Sequence, residues 1–486
     1  MIYKLRPYQE ECVKSISDYI NSDRHDPVLI VGPVGCGKSL LIAEAARLMG
    51  DKTLILQPSK ELLQQNHNKI TSYGIPATIY SASCGKKELS NMIYATLGSI
   101  KKVVGQLKEM GIRNVLIDEA HAGYSPEDGS EFMTFMNELK PKKVIGFTAT
   151  PCRLKTMSIG QVSYSQLNFI TRMRPVYFKN LIHVIQVEEM IRQGFWTPLK
   201  YETWDFNGDA LKLNSNGSEY TAESISEAVR KNGLNNLILR RLMVLKDVCR
   251  SILVFMDSVE SCNTAAEWMN AKICAGMAEV VHGGTPKKQR EAIVERFKSG
   301  GTQVVFNYSA LGTGFDHPGL DCVVFGRPTF SFSTWYQAIG RAVRIKDGKD
   351  SAMVVDCCDN SSRFGDIRGL SIENYKGYGW GMFIGDKLIT NIPMGDKVTK
   401  TDLDIKAAKK DRRRGLAQGV TAAPVPGRPD HPLGSTVMTF GKYCGWMFHS
   451  IPVSYFKFIN ETFDWDNDRN KDIKEYIDFL IKNNRL

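Results

Sequence analysis

Val28-Leu29-Ile30-Val31-Gly32-Pro33-Val34-Gly35-Cys36-Gly37-Lys38-Ser39 decides the fold. Four apolar residues predict a buried strand, the glycines predict a tight loop, and the Ala-, Leu- and Ile-rich run from Leu40 to Met49 predicts a helix directly after it. Glycine tolerates the backbone angles that turn successive N–H groups toward phosphate oxygens, and the helix beginning near Lys38 adds its positive dipole end. Gly32, Gly35 and Gly37 thus form the phosphate loop, Lys38 holds the β- and γ-phosphates, and Ser39 is placed to ligate magnesium.

A second strand ends in chemistry. Val115-Leu116-Ile117 runs into Asp118-Glu119-Ala120-His121. A carboxylate at the end of an interior strand can reach the magnesium of a bound nucleotide through water, and Glu119 beside it can orient or deprotonate the attacking water. His121 has two readings, a hydrogen bond between layers or a relay of the nucleotide state to another domain. Further on, Gln337-Ala338-Ile339-Gly340-Arg341-Ala342-Val343-Arg344 predicts two guanidinium groups on one helical face. Taken alone they read as a basic helix face; the other reading is that they reach a γ-phosphate across an interdomain cleft and act as arginine fingers. Leu311-Gly312-Thr313-Gly314-Phe315-Asp316 supplies a glycine-rich loop and an Asp able to take a ribose hydroxyl.

Outward from these motifs the chain alternates short apolar strands with helical patterns. Thr53 to Leu56, Ala77 to Tyr80, Val115 to Ile117 and Val144 to Phe147 give a first α/β domain over 1–155. Residues 156–240 read as a connecting segment whose edges belong to both neighbours. A second alternation over 241–365 includes Ile252 to Phe255, Val304 to Phe306, Cys322 to Phe325 and Met353 to Val355. A β extension over 366–400, a basic flexible linker over 401–434 and a small α+β module over 435–486 complete the expected organisation.

The 486 residues are too many for one core, and the hydrophobic fraction of 43% is that of folded material. A formal net charge of +11 favours a polyanion such as nucleic acid as partner, and no basic amphipathic anchor or membrane-length apolar run argues for a membrane. The 11 cysteines, with no Cys-x-x-Cys pair, read as buried thiols of a cytoplasmic protein without structural zinc.

In order, Arg6-Pro7-Tyr8-Gln9, the Gly32 to Ser39 loop, Gln57 to Leu62, Asp118 to His121, Thr148-Ala149-Thr150-Pro151, Val254 to Ser258, Asn307 to Asp316 and Gln337 to Arg344 resemble the motif set of superfamily 2 helicases. Leu5 to Gln9 and Met190 to Pro198 are most similar to the RadD-type and UvsW-type DNA helicases of bacteria and phages, although the cysteine-rich zinc region of the former is lacking. The resemblance implies two tandem RecA-like domains with ATP and Mg2+ between them. It makes Arg6, Gln9, Gly314 and Asp316 nucleotide-binding, Ser39 and Asp118 metal-binding, and Glu119, Gln337, Arg341 and Arg344 catalytic. It also makes His121, Thr148 and Thr150 coupling residues, and Pro58, Ser59, Thr96, Gly98, His282, Gly283 and Thr313 contacts to nucleic acid.

The terminal module, through Phe440 to Tyr443 and Pro452 to Tyr455, resembles a small domain found at the ends of some exonucleases. Its Tyr443, Trp446, Tyr455 and Phe456 are expected mainly in the core, with a stacking platform for single strands as the other reading. The expected protein is a monomeric, ATP-dependent DNA translocase acting on single-stranded, forked or branched DNA, with a protein partner for residues 435–486. An RNA helicase and an ATP-dependent DNA clamp are the rivals.

Overall fold

The computed structural model describes residues 4–50, 52–159, 162–215, 217–310, 315, 317–376, 378–407, 431–436, 438, 447–462 and 471–483. Gly314, Asp316, Thr313, Phe440 to Tyr443, Trp446 and most of the basic 401–434 segment therefore lie outside the described residues.

Helix α1 (Pro7–Asn21) precedes β1 (Val28–Val31), α2 (Lys38–Met49), β2 (Thr53–Leu56), α3 (Lys60–Ser72), β3 (Thr78–Ser81), β4 (Lys86–Lys87), β5 (Met92–Ala95), β6 (Asn114–Ile117) and β7 (Lys143–Thr148). Strands β1, β2, β5, β6 and β7 are buried at every position, as parallel strands covered on both faces must be. A long antiparallel hairpin, β8 (Cys152–Ile159) and β9 (Val162–Phe169), leaves directly after β7. The next strand, β10 (Asn180–Val184), returns to lie parallel to β1. The sheet order is β10-β1-β7-β6-β2-β5-β3-β4, with β4 antiparallel at the edge.

Strand order explains why distant motifs meet. Loops after β1, β7 and β6 leave from three adjacent carboxyl ends, which is where parallel sheets bind ligands. Lys143 also ties α1 to the sheet: its ammonium donates to the Tyr19, Ser22 and Arg24 carbonyls at 2.9, 2.7 and 2.6 Å, satisfying acceptors that the helix end leaves open.

The second sheet joins β11 (Leu199–Thr203) to β12 (Ile252–Phe255), β13 (Ala278–His282), β14 (Val304–Tyr308), β15 (Cys322–Phe325) and β16 (Ala352–Asp356) in the order β11-β16-β15-β12-β14-β13, all parallel. Residues 156–240 are thus shared out: β10 completes the first sheet and β11 the second. The apolar core of the first lobe continues through Trp196 and Leu199 to Trp335 and Tyr336 on one face of the second sheet, while a separate cluster covers the other face. Strands β17 (Leu370–Tyr375), β18 (Gly379–Ile384) and β19 (Lys387–Leu388) form a small sheet, β18 and β19 being antiparallel.

Residues 375–379 and 399–486 form a second compact unit. Residues 400–407 are helical, where the linker was expected to begin. Helices Val453–Thr462 and Lys471–Lys482 close around Phe448, Phe456, Tyr476 and Leu480. Phe456 is a core residue, and Tyr455 is half-buried against this core, its ring 6.2 Å from that of exposed Phe458. Among the described cysteines most are buried, but Cys274 is exposed, which corrects the uniform reading of buried thiols. No helix among the described residues is long and apolar enough to cross a membrane.

Candidate active site

A cleft of about 540 Å³ between the two sheets is lined by Arg6, Gln9, Gly35, Gly37, Lys38, Ser39, Asp118, Glu119, Gln337, Arg341 and Arg344. These residues, from four separated stretches of sequence, therefore share one cavity. Gly35 and Gly37 both have φ of 81°, a left-handed conformation that glycine adopts without steric cost. Gly37 is constrained by space as well, since a Cβ there would stand 2.5 Å from Gln9 Nε2. That same Nε2 donates to the Cys36 carbonyl at 2.9 Å, and Tyr8 Oη donates to it at 3.1 Å, so α1 is fastened to the Gly32–Ser39 loop.

The Lys38 ammonium is paired with Glu119 Oε1 and lies 3.6 Å from Asp118 Oδ1. Burial works against its charge, yet the Glu119 and Asp118 carboxylates hold its pKa above the ordinary lysine value. Burial likewise opposes ionisation of Glu119, and the Lys38 ammonium, aided by His121, overrides it and holds the carboxyl well below the usual range. Asp118 is pushed up by burial, against the pull of Lys38. Its Oδ1 accepts from the Glu119 N–H at 2.9 Å and its Oδ2 from Asn66 Nδ2 at 2.9 Å. Glu119 itself has φ of 46°, a strained value for a residue with a side chain.

His121 Nδ1 lies 2.8 Å from Thr148 Oγ1 and 3.3 Å from Glu119 Oε2, while its Nε2 is 3.4 Å from Ser333 Oγ in the second lobe. Thr148 Oγ1 accepts from the Thr150 N–H at 3.0 Å, and both threonines are fully buried. These three residues and Gly32 do not line the cleft; the first three form a hydrogen-bonded chain next to it. Gly32 has no room for a side chain, because a Cβ would meet Cys36 Sγ at 2.7 Å.

The arginines depart from expectation. The helix Phe332–Ile339 ends with Gly340 as its cap, so Arg341 and Arg344 sit in the turn beyond it and not on one helical face. Past Gly340 the chain tightens into turn bonds, Arg341 N–H to Ala338 O at 3.1 Å and Ala342 N–H to Ile339 O at 2.8 Å, and the carbonyls beyond are taken from outside the helix: Val343 O and Arg344 O by the Thr197 N–H and Oγ1, each at 2.8 Å, and Ala342 O by Lys349 Nζ at 2.6 Å. Both guanidiniums still reach the cleft. Burial lowers the pKa of each, that of Arg341 to about 10 despite the opposing pull of Glu119, so Arg341 remains charged at neutral pH.

Pro58 and Ser59 follow β2, and Thr96 and Gly98 follow the adjacent β5, so these four stand together at the carboxyl edge of the first sheet. Ser59 caps α3 by accepting from the Leu62 N–H at 3.3 Å. His282 ends the edge strand β13, where its Nδ1 accepts from the Gly284 N–H at 3.1 Å, and Gly283 has open space where a Cβ would be.

Sequence reasoning missed four contributors. Asn66 holds Asp118 from a buried position in α3 with no motif around it. Phe195 lines the cleft under the Arg6 guanidinium, 4.5 Å from its ring centroid. Trp196 Nε1 donates to Val34 O at 2.9 Å. Arg153 donates to the His121, Ala120 and Tyr124 carbonyls. Only Phe195 and Trp196 fell in a stretch that carried any signal, the Met190 to Pro198 run.

For a divalent cation, the Ser39 hydroxyl and Asp118 carboxylate form an oxygen set that suits magnesium, and the Lys38 ammonium between the two carboxylates marks a place where positive charge is stabilised. Among the described residues no cluster of three or more His, Cys, Asp or Glu is set to hold a metal by itself. That suits an ion whose remaining ligands are phosphates and water.

Residues 2–153 match the family described as type III restriction enzyme, res subunit, and residues 235–346 match the helicase conserved C-terminal domain. A 51.5 kDa protein of a Lactococcus phage is 24% identical over 332 residues, which are 68% of this chain and 65% of that protein. The Saccharomyces cerevisiae protein IRC3, named as a candidate ATP-dependent helicase, is 24% identical over 279 residues, 57% of this chain and 38% of its own. The chain thus spans less than two thirds of each relative. Among solved structures, the ATP-dependent type ISP restriction-modification enzyme LlaBIII bound to DNA superposes with a TM-score of 0.54 at 15% identity, covering 86% of this chain and 30% of that one.

Proposed function

Starting from a chain that belongs to the superfamily 2 helicases by both of its lobes, we propose that it is an ATP-dependent DNA translocase that unwinds duplexes or migrates branched DNA. The observation that carries this reading is the single cleft shared by Lys38 and Glu119 from one lobe and Arg341 and Arg344 from the other. Such a site hydrolyses ATP only when the lobes are together, so each turnover is tied to a relative movement of two nucleic-acid-binding surfaces.

In this mechanism Lys38 leaves Glu119 for the β- and γ-phosphates, releasing the carboxylate to orient the attacking water. Ser39 and Asp118 would hold Mg2+, which supplies charge neutralisation at the phosphate oxygens when bound. Arg341 and Arg344 stabilise the charge that develops on the transferred phosphoryl group. Gln9 and the Arg6–Phe195 pair line the adenine end of the cleft. His121, Thr148 and Thr150 carry the change toward Ser333 in the second lobe.

DNA is favoured as track by the net charge of +11 and by the sequence likeness to RadD-type and UvsW-type proteins. Grip on phosphates would be indifferent to base sequence and would weaken steeply with salt. The test is ATP-driven strand separation on forks, four-way junctions and tailed duplexes, beside RNA of equal length, with Lys38→Ala as control. Stimulation by RNA and not DNA would replace the reading with that of an RNA helicase, and ATPase without strand movement on any substrate would leave a clamp.

A further inference from the structure

Arg153 stands one residue into the β8–β9 hairpin, opposite Asn168, and turns its guanidinium back onto the Asp118–His121 turn. Its Nε donates to His121 O at 2.6 Å, and its Nη2 to Tyr124 O at 2.6 Å and Ala120 O at 3.2 Å. Three carbonyls of one loop are thus fixed by one planar donor, next to a Glu119 held at φ of 46°. A loop so bound cannot relax the glutamate into an ordinary conformation without breaking the fork.

About 10 Å along the ribbon, the cross-strand pair Thr156 and Ser165 meets the second lobe. A Cβ on Gly217 would stand 2.1 Å from Thr156 Oγ1, and Gly217 has φ of 61°, so only glycine fits. Ser165 Oγ donates to Gly217 O at 3.1 Å. Two residues further, Glu219 accepts from the Phe330 N–H and Thr329 Oγ1, both at 2.7 Å. Those residues immediately precede Ser331, which caps the helix Phe332–Ile339 by accepting from the Thr334 N–H at 3.2 Å. On that helix Ser333 returns to His121. The contacts form a closed ring from the glutamate turn through Arg153, the hairpin, Gly217, Glu219 and the helix start, and back.

We propose that this ring is an interdomain strut, with Arg153 and Glu219 as positioning residues that hold the Glu119 turn in register with the helix whose far end presents Arg341. It rests on the reading of the cleft as an ATPase site. A two-stranded ribbon fixed at one end to the water-activating turn and near its middle to the second lobe transmits displacement, whereas a direct contact through His121 and Ser333 alone, at 3.4 Å, is a single weak hydrogen bond. The strut acts on the chemical step and leaves ATP affinity alone, since Arg153, Ser165, Gly217 and Glu219 do not line the cleft.

The experiment is steady-state ATPase of the full chain with saturating DNA, for wild type, Arg153→Ala, Arg153→Lys, Gly217→Val, Ser165→Ala and the Arg153→Ala/Gly217→Val double variant. Arg153→Ala and Gly217→Val should each lower kcat by about tenfold or more with KM within about twofold. Arg153→Lys should recover part of the loss, because an ammonium can still donate to the same carbonyls. Ser165→Ala, which removes one bond and no volume from the hairpin, should lower kcat by a few-fold and covers the case in which valine disturbs folding. The double variant should be no slower than the slower single one, the non-additivity expected of one device. Unchanged kcat in Gly217→Val and Ser165→Ala, or a double variant whose loss is the product of the single losses, would overturn the strut. A wild-type protein without ATPase would overturn the reading of the cleft and the strut with it, whereas active wild type with unaltered variants removes the strut alone.

Discussion

Val34 of the glycine-rich loop rests directly on Gly340 at the end of the second-lobe helix: a Cβ on Gly340 would stand 2.5 Å from Val34 Cβ. Val34 cannot swing aside, because its Cβ is branched and attached to the loop backbone. Its carbonyl is held at the same time by Trp196 Nε1. Gly340 has an ordinary helical φ of −57°, so alanine there is a purely steric probe. Gly340→Ala should hold the lobes apart and lower kcat for ATP by about tenfold or more, with the melting temperature changed by only a few degrees. Wild-type turnover in this variant would mean that the closed contact is not needed for hydrolysis.

Glu119→Gln keeps an acceptor for Lys38 but removes the charge that activates water in the proposed mechanism. ATP binding, followed with a fluorescent analogue, should survive while kcat falls by about 10²-fold or more. Retained turnover would assign the water to another base.

Arg341 lines the cleft and donates through Nη1 to Phe315 O at 2.6 Å, a bond that fixes the plane of its guanidinium. Arg341→Lys keeps the charge and loses that geometry, so kcat should fall by about 10²-fold with little recovery over Arg341→Ala. Full rescue by lysine would reduce the role of Arg341 to net charge.

Phe195 packs under Arg6 and edge-on to Tyr8, with ring centroids 5.2 Å apart in the latter pair. Phe195→Ala should raise KM for ATP by about fivefold and leave kcat nearly unchanged, since this contact is equal in ground and transition states. A fall in kcat alone would place Phe195 in the closing movement and not in binding.

His317 is 5% exposed, with Nε2 2.9 Å from Ser251 Oγ and its ring against Phe297. Burial, reinforced by Lys346, Lys298 and Lys349, lowers its pKa from 6.5 to about 4. The folded state therefore favours the neutral ring. Its contribution to stability is complete above pH 6.5 and is lost progressively as pH falls from there toward 4, where the unfolded chain takes up the proton first. Thermal melts over that range should fall for wild type and fall less for His317→Gln; parallel curves would show that His317 is not the group responsible.

How much of this was legible follows from where the information is stored. The strands ending at Val31, Ile117 and Thr148 read directly, because a strand buried on both faces is a continuous apolar run and its carboxyl end is where ligand chemistry sits. The arginine turn does not, since the helical pattern of the sequence remains periodic past Ile339. The turn beyond it is held by Thr197, whose partner Arg344 is 147 residues away.

By itself the sequence determined the two-lobed α/β architecture, the glycine-rich loop after Val31 and the place of Asp118 and Glu119 at a strand's end, all of which depend on neighbours within a turn or a strand. Only the tertiary structure decided which distant groups support them: Asn66 on Asp118, Arg153 on the glutamate turn, Gly340 on Val34 and Gly217 on the hairpin. Those pairings arise from strand order and from the space left between packed surfaces, and neither leaves a periodic mark on the residues that fill it.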